Sequence, residues 1–216
     1  MGIDEHWPLF GLRVVTPRLE LRLPRDDDLA ALARLVREGL HDPAEMPFDD
    51  PPWTDEPSPG RERGFVQRQW LARANWAPED WRLRLMAVVD GAPVGMQDVM
   101  ATRFDALGVV TTYSWLVRRE HGKGIGKEMR AAVLHLAFEG LGARAAQSEA
   151  FETNFASRHV SLALGYEENG RGFDLRRGIA TPNVRYIIRR ERWLARRRGD
   201  VAIEGLEACR ALFGVA

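Results

Sequence analysis

Hydrophobic residues recur with two different periods along the segment Tyr113–Phe138, and the change of period indicates a strand followed by a helix. Tyr113, Trp115 and Val117 alternate with the residues between them, which is typical of a β-strand. From Ile125 onwards, apolar or small residues recur three or four positions apart, as on one face of an α-helix. The charged loop between the two contains Gly122, Gly124 and Gly126. The sequence therefore predicts a strand, a glycine-rich loop and a helix in direct succession.

The same two periods predict the other secondary structure elements. Strands are predicted at Thr16–Pro24, Trp81–Val89, Pro93–Thr102, Val109–Val117, Ala145–Phe151, Tyr166–Phe173 and Val184–Arg192. Helices are predicted at Asp26–Gly39, Glu62–Asn75, Ile125–Gly140, Asn154–Gly165 and Ile203–Leu212. Asp90 and Gly91 favour a hairpin, and the proline-rich segment His41–Gly60 is expected to be a long functional loop. An antiparallel meander followed by strand–helix–strand units predicts a mixed α/β (α+β) fold rather than an all-parallel sheet.

Composition narrows the class of protein. The 216 residues include 31 basic and 31 acidic side chains, and this balance argues against general binding to nucleic acid or anionic membranes. Cys209 is the single cysteine, so neither an intrachain disulfide nor a cysteine-rich metal site is expected. The opening residues are acidic rather than basic, and no stretch approaches the roughly 18 uninterrupted apolar residues of a membrane span. We therefore expect one cytoplasmic domain over residues 1–216.

The glycine-rich loop and the helix after it form a candidate anion site. Glycine lets the backbone approach a ligand closely, and the first amides of a helix have no partner within that helix. The helix macrodipole adds partial positive charge at the same end. The loop is flanked by the basic residues Arg118, Arg119, Lys123 and Lys127. Arg118, Arg119 and Lys123 either add charge to the site or form a solvated basic loop.

Two other phosphate-binding motifs match this loop in part. A P-loop needs a longer interval than that from Gly122 to Gly126, and Glu128 stands where that motif requires a magnesium-binding hydroxyl. The dinucleotide fingerprint fits Gly122 and Gly124, and Glu149 lies where its ribose-binding acid belongs, but Gly126 comes one position early. An NAD(P)-binding oxidoreductase is therefore a minor alternative, and a loop that only turns the chain is another.

Three stretches resemble the GNAT superfamily of N-acyltransferases. The sequence HGKGIG at His121–Gly126 resembles the acyl-CoA loop of this family, with Gly124 and Gly126 in the motif positions and His121 where Gln or Arg is usual. The block Asn154–Tyr166 is similar to a later motif that begins Asn-x-x-Ser. The opening TPRLELRLP resembles the RimJ/RimL-like branch, and EGLEACRALFG resembles an actinobacterial subgroup for which succinyl-CoA use is suggested. The matches follow the order of the family, which makes the resemblance specific.

The resemblance implies a fold and a set of ligand contacts. The expected GNAT fold has a central, mostly antiparallel sheet that is splayed at the CoA site, with helices on both faces. By resemblance, the strand end supplies backbone contacts to pantetheine, with an amide near Val117 facing the thioester carbonyl. The loop amides hold the pyrophosphate. The residues implied in CoA binding are Leu116, Val117, Arg118, Arg119, His121, Gly122, Lys123, Gly124, Ile125, Gly126, Lys127, Asn154 and Ser157.

Ser157, Glu149 and Asp98 are the candidate catalytic residues. Ser157 resembles the hydroxyl that protonates the CoA sulfur in the RimL-like branch, and an ordinary position on a helix face is the alternative. Asn154 resembles a pantetheine ligand and equally fits a helix N-cap. Glu149 and Asp98 lie on predicted strands, and each is either a general base or a paired structural acid.

The expected activity is transfer of an acyl group from acetyl-CoA or succinyl-CoA to a primary amine. Transfer is expected to be direct, in a ternary complex, because Cys209 lies far from the motifs in the sequence. The acceptor is a protein N-terminus, a lysine or a small amine, and no metal is expected. A CoA-binding sensor without turnover is the alternative from another class of protein. The arginine-rich run Arg189–Arg198 is interpreted as solvent-facing surface near a candidate edge for self-association.

Overall fold

The computed structural model describes residues 2–215 of the chain. Its strands are β1 (Arg13–Val15), β2 (Glu20–Arg22), β3 (Asp80–Val89), β4 (Ala92–Thr102), β5 (Val109–Leu116), β6 (Ala145–Phe151), β7 (Glu167–Arg176), β8 (Ile179–Arg189) and β9 (Ala202–Glu204). Its α-helices are α1 (Asp26–Glu38), α2 (Gly60–Ala74), α3 (Phe104–Leu107), α4 (Ile125–His135), α5 (Phe155–Leu164) and α6 (Arg190–Leu194). A π-helical turn, Leu136–Gly140, continues α4, and a 3-10 helix, Glu207–Phe213, closes the described part of the chain.

The strands form one mixed sheet in the order β7-β8-β6-β5-β4-β3-β2-β1-β9. Only the β5–β6 pair is parallel, and every other neighbouring pair in this order is antiparallel. The predicted hairpin between β3 and β4 is confirmed, with positive φ at both Asp90 and Gly91 as its tight turn requires. The mixed α/β fold is thereby confirmed. The NAD(P)-binding alternative is wrong, because the dinucleotide fingerprint needs a parallel sheet.

Helices cover both faces of this sheet. Side chains alternate between the two faces along β5, so Ser114 and Trp115 point in opposite directions. Arg130 of α4 reaches Ser114, whereas Phe65 of α2 packs edge-on against Trp115 with 6.0 Å between ring centroids. Helix α4 therefore lies on one face and α2 on the other. Buried leucines and valines from the sheet and from α1 and α4 fill the core between them.

The C-terminal helix predicted at Ile203–Leu212 is wrong. Residues 202–204 pair with β1 as β9, and Gly205 then turns the chain with a φ of +72°. The segment Glu207–Phe213 is a 3-10 helix, and its Phe213 ring lies 5.0 Å from that of Trp81 in the core. Pairing with the sheet edge decides the structure here, because it satisfies backbone groups that a short helix would leave to solvent.

Two predicted strand boundaries are also corrected. Of the strand predicted at Thr16–Pro24, only Glu20–Arg22 is a strand, β2. It pairs with β1, which lies before the predicted range, and the turn between them is closed by a hydrogen bond of 2.9 Å from the Thr16 amide to the Leu19 carbonyl. The strand predicted to reach Arg192 ends at Arg189, and α6 follows. Trp193 in α6 is buried and stacks on Phe138, which anchors this helical turn against the core. Among residues 2–215, no helix is long and apolar enough to cross a lipid bilayer.

Candidate active site

Strands β5 and β6 separate after a short parallel contact. Val109–Thr111 pairs with Ala145–Gln147, whereas β5 stays paired with β4 as far as Leu116. The edge of β5 beyond Thr111 therefore faces an opening instead of a neighbouring strand. This opening is the centre of a cleft of about 1840 Å³. It agrees with the splayed strand pair that the GNAT resemblance implied.

Arg130 bridges the opening on the α4 side. Its Nη1 donates to Ser148 Oγ on β6 at 2.9 Å, and its Nη2 donates to Ser114 Oγ on β5 at 3.3 Å. The residue is 3% exposed, and burial lowers its pKa. Its Nε has no hydrogen-bond partner, and its bonds within residues 2–215 go to neutral hydroxyls rather than to a carboxylate. A buried cation without a carboxylate partner is costly to the fold, and it places positive charge beside the opening.

Tyr113 and Glu149 bridge the same opening on the opposite face. The Tyr113 hydroxyl donates to the carboxyl oxygen Glu149 Oε1 in a short bond of 2.6 Å. Burial raises the pKa of Tyr113, and the hydrogen bond to Glu149 raises it further. Tyr113 therefore stays protonated through the neutral range. The donor to the second carboxylate oxygen of Glu149 is the amide of Asn183, at 3.5 Å.

Two further carboxylates lie near Glu149. Burial raises the pKa of Asp49, and the charges of Glu149 and Asp174 raise it further. Asp174 accepts a hydrogen bond from Asn183, which also contacts Glu149. Asp49 comes from the long loop, Asp174 from β7 and Glu149 from β6. The fold thus gathers three acids from separate parts of the chain at one end of the cleft, where a positively charged amine is attracted.

The glycine-rich loop and the start of α4 form the other end of the cleft. Gly122 and Gly124 have positive φ values of +75° and +80°, which non-glycine residues rarely adopt. The first backbone bond of α4 runs from the Glu128 amide to the Gly124 carbonyl, so the amides of residues 125–127 precede the intrahelical pattern. A Cβ built at Gly126 meets nothing within 4 Å. The loop therefore leaves room and unpaired donors for an anion.

Glu128 fixes this loop to the start of the chain. Its carboxylate accepts from Thr16 Oγ1 at 2.6 Å and from Arg18 Nε at 2.6 Å, and Arg18 also donates to the Lys123 carbonyl. Burial by itself raises the pKa of Glu128, but the hydrogen bonds from Thr16 and Arg18 hold it below its ordinary value. The residue that excludes a P-loop thus has a structural role in positioning the glycines.

The end of β5 presents Leu116 to the cleft rather than Val117. The Val117 amide donates to the Val94 carbonyl at 2.9 Å, so it is not available to a ligand. Because backbone groups alternate along a strand, the amide and carbonyl of Leu116 point away from β4. The Leu116 carbonyl accepts from His121 Nε2 at 2.9 Å. His121 therefore closes the loop onto the strand through a ring nitrogen.

The flanking cations divide into two groups. Arg119 pairs with Glu38 at 3.1 Å, and Lys123 pairs with Glu120 at 3.2 Å. Neither of these two side chains lines the cleft. Arg118 and Lys127 do line it, and within residues 2–215 no carboxylate pairs with either. The solvated-surface alternative therefore holds for the first pair, and the second pair is available to an anion. Ile125 is buried in the core, so its amide alone faces the site.

Asn154 and Ser157 stand at the start of α5 on the rim of the cleft. The Asn154 side chain accepts from the Ser157 amide at 3.1 Å, which confirms the N-cap alternative for Asn154. The Ser157 hydroxyl makes no hydrogen bond to another part of the described chain. The cap fixes the backbone of Ser157 at the rim of the cleft, and its hydroxyl keeps an unused donor.

Asp98 is a paired structural acid, which was one of its two predicted roles. Its Oδ2 accepts from Arg82 Nη2 at 2.8 Å and from Arg84 Nε at 3.0 Å. Two guanidinium groups occupy one oxygen of this buried carboxylate, so Asp98 serves to hold Arg82 and Arg84 in place. Glu149 differs, because its two hydrogen-bond donors are neutral.

The proline-rich loop covers the cleft and is tied to the β7–β8 turn. Asp50 accepts from the amides of Arg177 and Gly178 at 2.7 and 2.8 Å, and Asp55 pairs with the Arg177 guanidinium at 2.6 Å. Inside this contact, Trp53 packs against Phe65 of α2. The predicted functional loop thus forms one wall of the cleft. Among residues 2–215, no group of three or more His, Cys, Asp or Glu side chains is arranged to hold a metal ion.

Tyr113, Arg130 and Asp49 were absent from the sequence-based set. Arg130 is followed by the apolar run Ala131–Leu134, and a charged residue that adjoins such a run in a helix is a recognisable signal. Tyr113 was assigned to a strand face without a partner. Asp49 carries no sequence signal, since its environment is created by β6 and β7 folding against the loop.

Known proteins share this fold. The sequence profile of the Acetyltransferase (GNAT) domain matches residues 18–167. RimJ of Mycobacterium smegmatis, solved in complex with CoA-disulfide, is 20% identical with a TM-score of 0.71, over 93% of this chain and 92% of that one. RimL, a ribosomal L7/L12 alpha-N-protein acetyltransferase in complex with coenzyme A, is 17% identical with a TM-score of 0.66, over 81% and 96%. The microcin C7 self immunity acetyltransferase MccE, in complex with acetyl-CoA and AMP, is 13% identical with a TM-score of 0.66, over 80% and 93%. At these identities the likeness is one of fold.

Proposed function

The chain belongs to the family of GNAT acetyltransferases, and from this premise we propose that it transfers an acyl group from acyl-CoA directly to a primary amine in a ternary complex. One observation carries the proposal. The opening between β5 and β6 joins an anion-binding helix start at one end to the Tyr113–Glu149 pair at the other. A donor with a terminal thioester and an acceptor amine meet where the two strands separate.

The donor is held at the glycine-rich end. The amides of residues 125–127 bind the pyrophosphate, and Arg118 and Lys127 add charge that no carboxylate within residues 2–215 neutralises. The open space at Gly126 accommodates the close approach of phosphate oxygens. The Leu116 amide is the donor that faces the thioester carbonyl in place of the Val117 amide. Asn154 contacts pantetheine with the part of its side chain that does not cap α5.

The reaction requires a neutral amine and a protonated leaving group. The amine nitrogen attacks the thioester carbon, a C–N bond forms, and the oxyanion that develops is stabilised by backbone amides. The C–S bond then breaks and the thiolate takes a proton from the Ser157 hydroxyl, which solvent replaces. Glu149 accepts the proton that the amine loses. Tyr113 and Asn183 donate hydrogen bonds to the Glu149 carboxyl group and hold it in place. Neither donor is a cation that would neutralise its charge.

The acyl group is acetyl or succinyl, and the acceptor is a protein N-terminus, a lysine or a small amine. The RimJ and RimL neighbours support an N-terminal amine, since RimL is an alpha-N-protein acetyltransferase of ribosomal L7/L12. The bound acetyl-CoA of MccE supports acetyl as one donor. Several guanidinium groups line the cleft, and they support succinyl as a second acyl group because it carries a terminal carboxylate.

Thiol release from acetyl-CoA and from succinyl-CoA, measured with a panel of amines, tests the proposal. We expect amine-dependent release that falls about 100-fold or more in kcat for Glu149→Gln, the size typical of lost acid–base catalysis. The matched control is Glu152→Gln, since Glu152 pairs with Arg171 outside the cleft. Calorimetric binding of CoA without amine-dependent release identifies a sensor instead. Absence of CoA binding at millimolar concentration refutes both.

A further inference from the structure

Three arginines that line the cleft have only one carboxylate partner among them. Arg82 and Arg84 of β3 share the single carboxylate of Asp98, at 2.8 and 3.0 Å. Arg68 of α2 lies close enough that the charges of Arg84 and Arg82 both act on it. All three side chains line the cleft. Three guanidinium groups against one carboxylate leave this wall with an excess of two positive charges.

Arg68 is the member without an ionic partner. Its guanidinium lies 4.9 Å from the centre of the Trp53 ring, in the arrangement of a cation–π contact. Burial lowers the pKa of Arg68, and the neighbouring arginines lower it further. Within residues 2–215, no hydrogen bond from its guanidinium to another residue is formed. A desolvated cation beside two like charges is unfavourable unless an anion joins it.

The opposite charge lies across the cleft. Glu149, Asp49 and Asp174 form the acidic group already described, and Tyr113 stands between the two groups. The Tyr113 hydroxyl bonds to Glu149, whereas the Arg82 guanidinium lies 5.8 Å from the centre of the Tyr113 ring. One residue therefore contacts both groups. A reactant that bridges them has a cationic or nucleophilic nitrogen at one end and an anion at the other.

We propose that Arg68, Arg82 and Arg84 bind a carboxylate or phosphate group of a reactant whose reacting atom lies beside Glu149. This inference rests on the proposed acyltransferase function and specifies its substrate class. Two reactants can supply the anion. It belongs either to the acceptor, an amine that carries an acidic group, or to the donor, an acyl group with a terminal carboxylate such as succinyl.

Matched substrates separate the two sources. Glycylglycine and glycylglycinamide present similar amines, but only the first carries a carboxylate, and each is assayed with acetyl-CoA and with succinyl-CoA. We expect the charged form of one reactant to be preferred at least tenfold in kcat/KM. In Arg68→Gln that preference falls to near unity. Loss of the glycylglycine preference assigns the anion to the acceptor, and loss of the succinyl preference assigns it to the donor. Preferences that are unchanged in Arg68→Gln overturn the proposal.

Arg63→Gln is the control, because Arg63 is exposed on the same helix and lies outside the cleft. It retains both preferences. A measurement independent of turnover uses the Arg68 Nε–Hε resonance, assigned with the Arg68→Gln variant. Inorganic phosphate titrated into the CoA-saturated protein shifts this resonance with a saturable curve if the anion site exists. A resonance that does not respond overturns the inference, even when acyl transfer is observed. A response without any turnover supports the anion site and refutes the proposed function alone.

Discussion

The Tyr113 hydroxyl donates a hydrogen bond of 2.6 Å to Glu149 across the point where β5 and β6 separate. The two residues are 36 positions apart in the chain and belong to strands that no longer pair at this level. A side-chain bond thus takes the place of a backbone bond at the centre of the cleft. It holds Glu149 in one orientation and keeps a protonated phenol beside the proposed reaction centre.

A double-mutant cycle measures this coupling. Tyr113→Phe removes the donor and Glu149→Ala removes the acceptor. We expect the double variant to be less destabilised than the sum of the two single variants. The coupling free energy of unfolding should be about 1–3 kcal/mol, as for a part-buried hydrogen bond to a charged group. Chemical denaturation of the four proteins provides the measurement. Additive effects of the two substitutions would show that the bond contributes nothing in solution.

Substitution of the loop glycines separates folding from binding. Gly126 lies in the first turn of α4 with open space at its Cβ, so Gly126→Ala is expected to stabilise the protein by up to about 1 kcal/mol. The same methyl group points into the proposed pyrophosphate site, and we expect the KM for acyl-CoA to rise about tenfold. Thermal unfolding and steady-state kinetics test the two effects together. An unchanged KM in a stabilised variant contradicts the proposed position of the pyrophosphate.

Gly124 provides the opposite case. Its φ of +80° is strained for alanine, so Gly124→Ala is expected to destabilise the protein by about 1–2 kcal/mol and to weaken acyl-CoA binding. Gly142 is the matched control, with a φ of +76°, open space at its Cβ and no part in the cleft. Gly142→Ala should show a similar loss of stability without a change in KM. If both variants bind acyl-CoA equally well, the loop is only a turn.

The glycine-rich loop could be predicted from sequence because its signal is local. Three glycines, a helix start and the flanking cations lie within ten residues. Their combined suitability for an anion does not depend on contacts with distant parts of the chain. The hairpin at Asp90 and Gly91 was predictable for the same reason. The sequence located the amide that faces the thioester carbonyl only as near Val117, because which amides face the cleft depends on the pairing of the Val117 amide with the Val94 carbonyl.

The acceptor end could not be predicted, because its chemistry depends on long-range contacts. Asp98 and Glu149 looked alike in sequence, as acids on strands. Folding gives Asp98 two guanidinium partners and gives Glu149 a phenol and an amide. The helix prediction for the C-terminal segment failed for a related reason. Pairing of β9 with β1 outweighs the helical periodicity of Ile203–Leu212.

Asp49 should make stability depend on pH in a defined direction. Burial raises its pKa above the ordinary 3.8, so the ionised form is disfavoured in the folded state. The stability that protonated Asp49 contributes to the folded state is fully present at pH values below its ordinary pKa. This stability is lost as the pH rises through the raised pKa of Asp49 in the folded protein. Asp49→Asn cannot ionise, so it should gain melting temperature relative to the wild type as the pH rises from about 3.8 to neutral.

Calorimetry at a series of pH values checks this difference. Glu45→Gln is the control, because it makes the same change from a carboxylate to an amide in the same loop. A pH-dependent difference that is found for Asp49→Asn and not for Glu45→Gln assigns the effect to Asp49. An Asp49→Asn variant that loses stability with rising pH would mean that the Asp49 carboxylate is stabilised as an anion, contrary to its position beside Glu149 and Asp174.

Arg130 offers a test of whether a buried charge is retained for function. Its guanidinium is buried with hydroxyl partners on β5 and β6 and with an unpaired Nε. Replacement of a poorly compensated buried charge by an apolar side chain of similar length is often neutral or stabilising, by about 1–4 kcal/mol. We therefore expect Arg130→Met to unfold at the same or a higher temperature than the wild type. Its kcat/KM for acyl-CoA should fall at least tenfold, because the cleft loses its central donor.

Two comparisons make the Arg130 result decisive. Arg63→Met places the same side chain on the exposed surface of α2, and it should change neither unfolding nor kinetics. Ser148→Ala removes one hydroxyl partner while the charge stays, so it should destabilise the protein by about 1–3 kcal/mol through an unsatisfied buried group. A destabilised Arg130→Met with unchanged kinetics would show that the guanidinium holds β5 and β6 together. A stable but inactive Arg130→Met would show that the guanidinium charge acts on the bound donor.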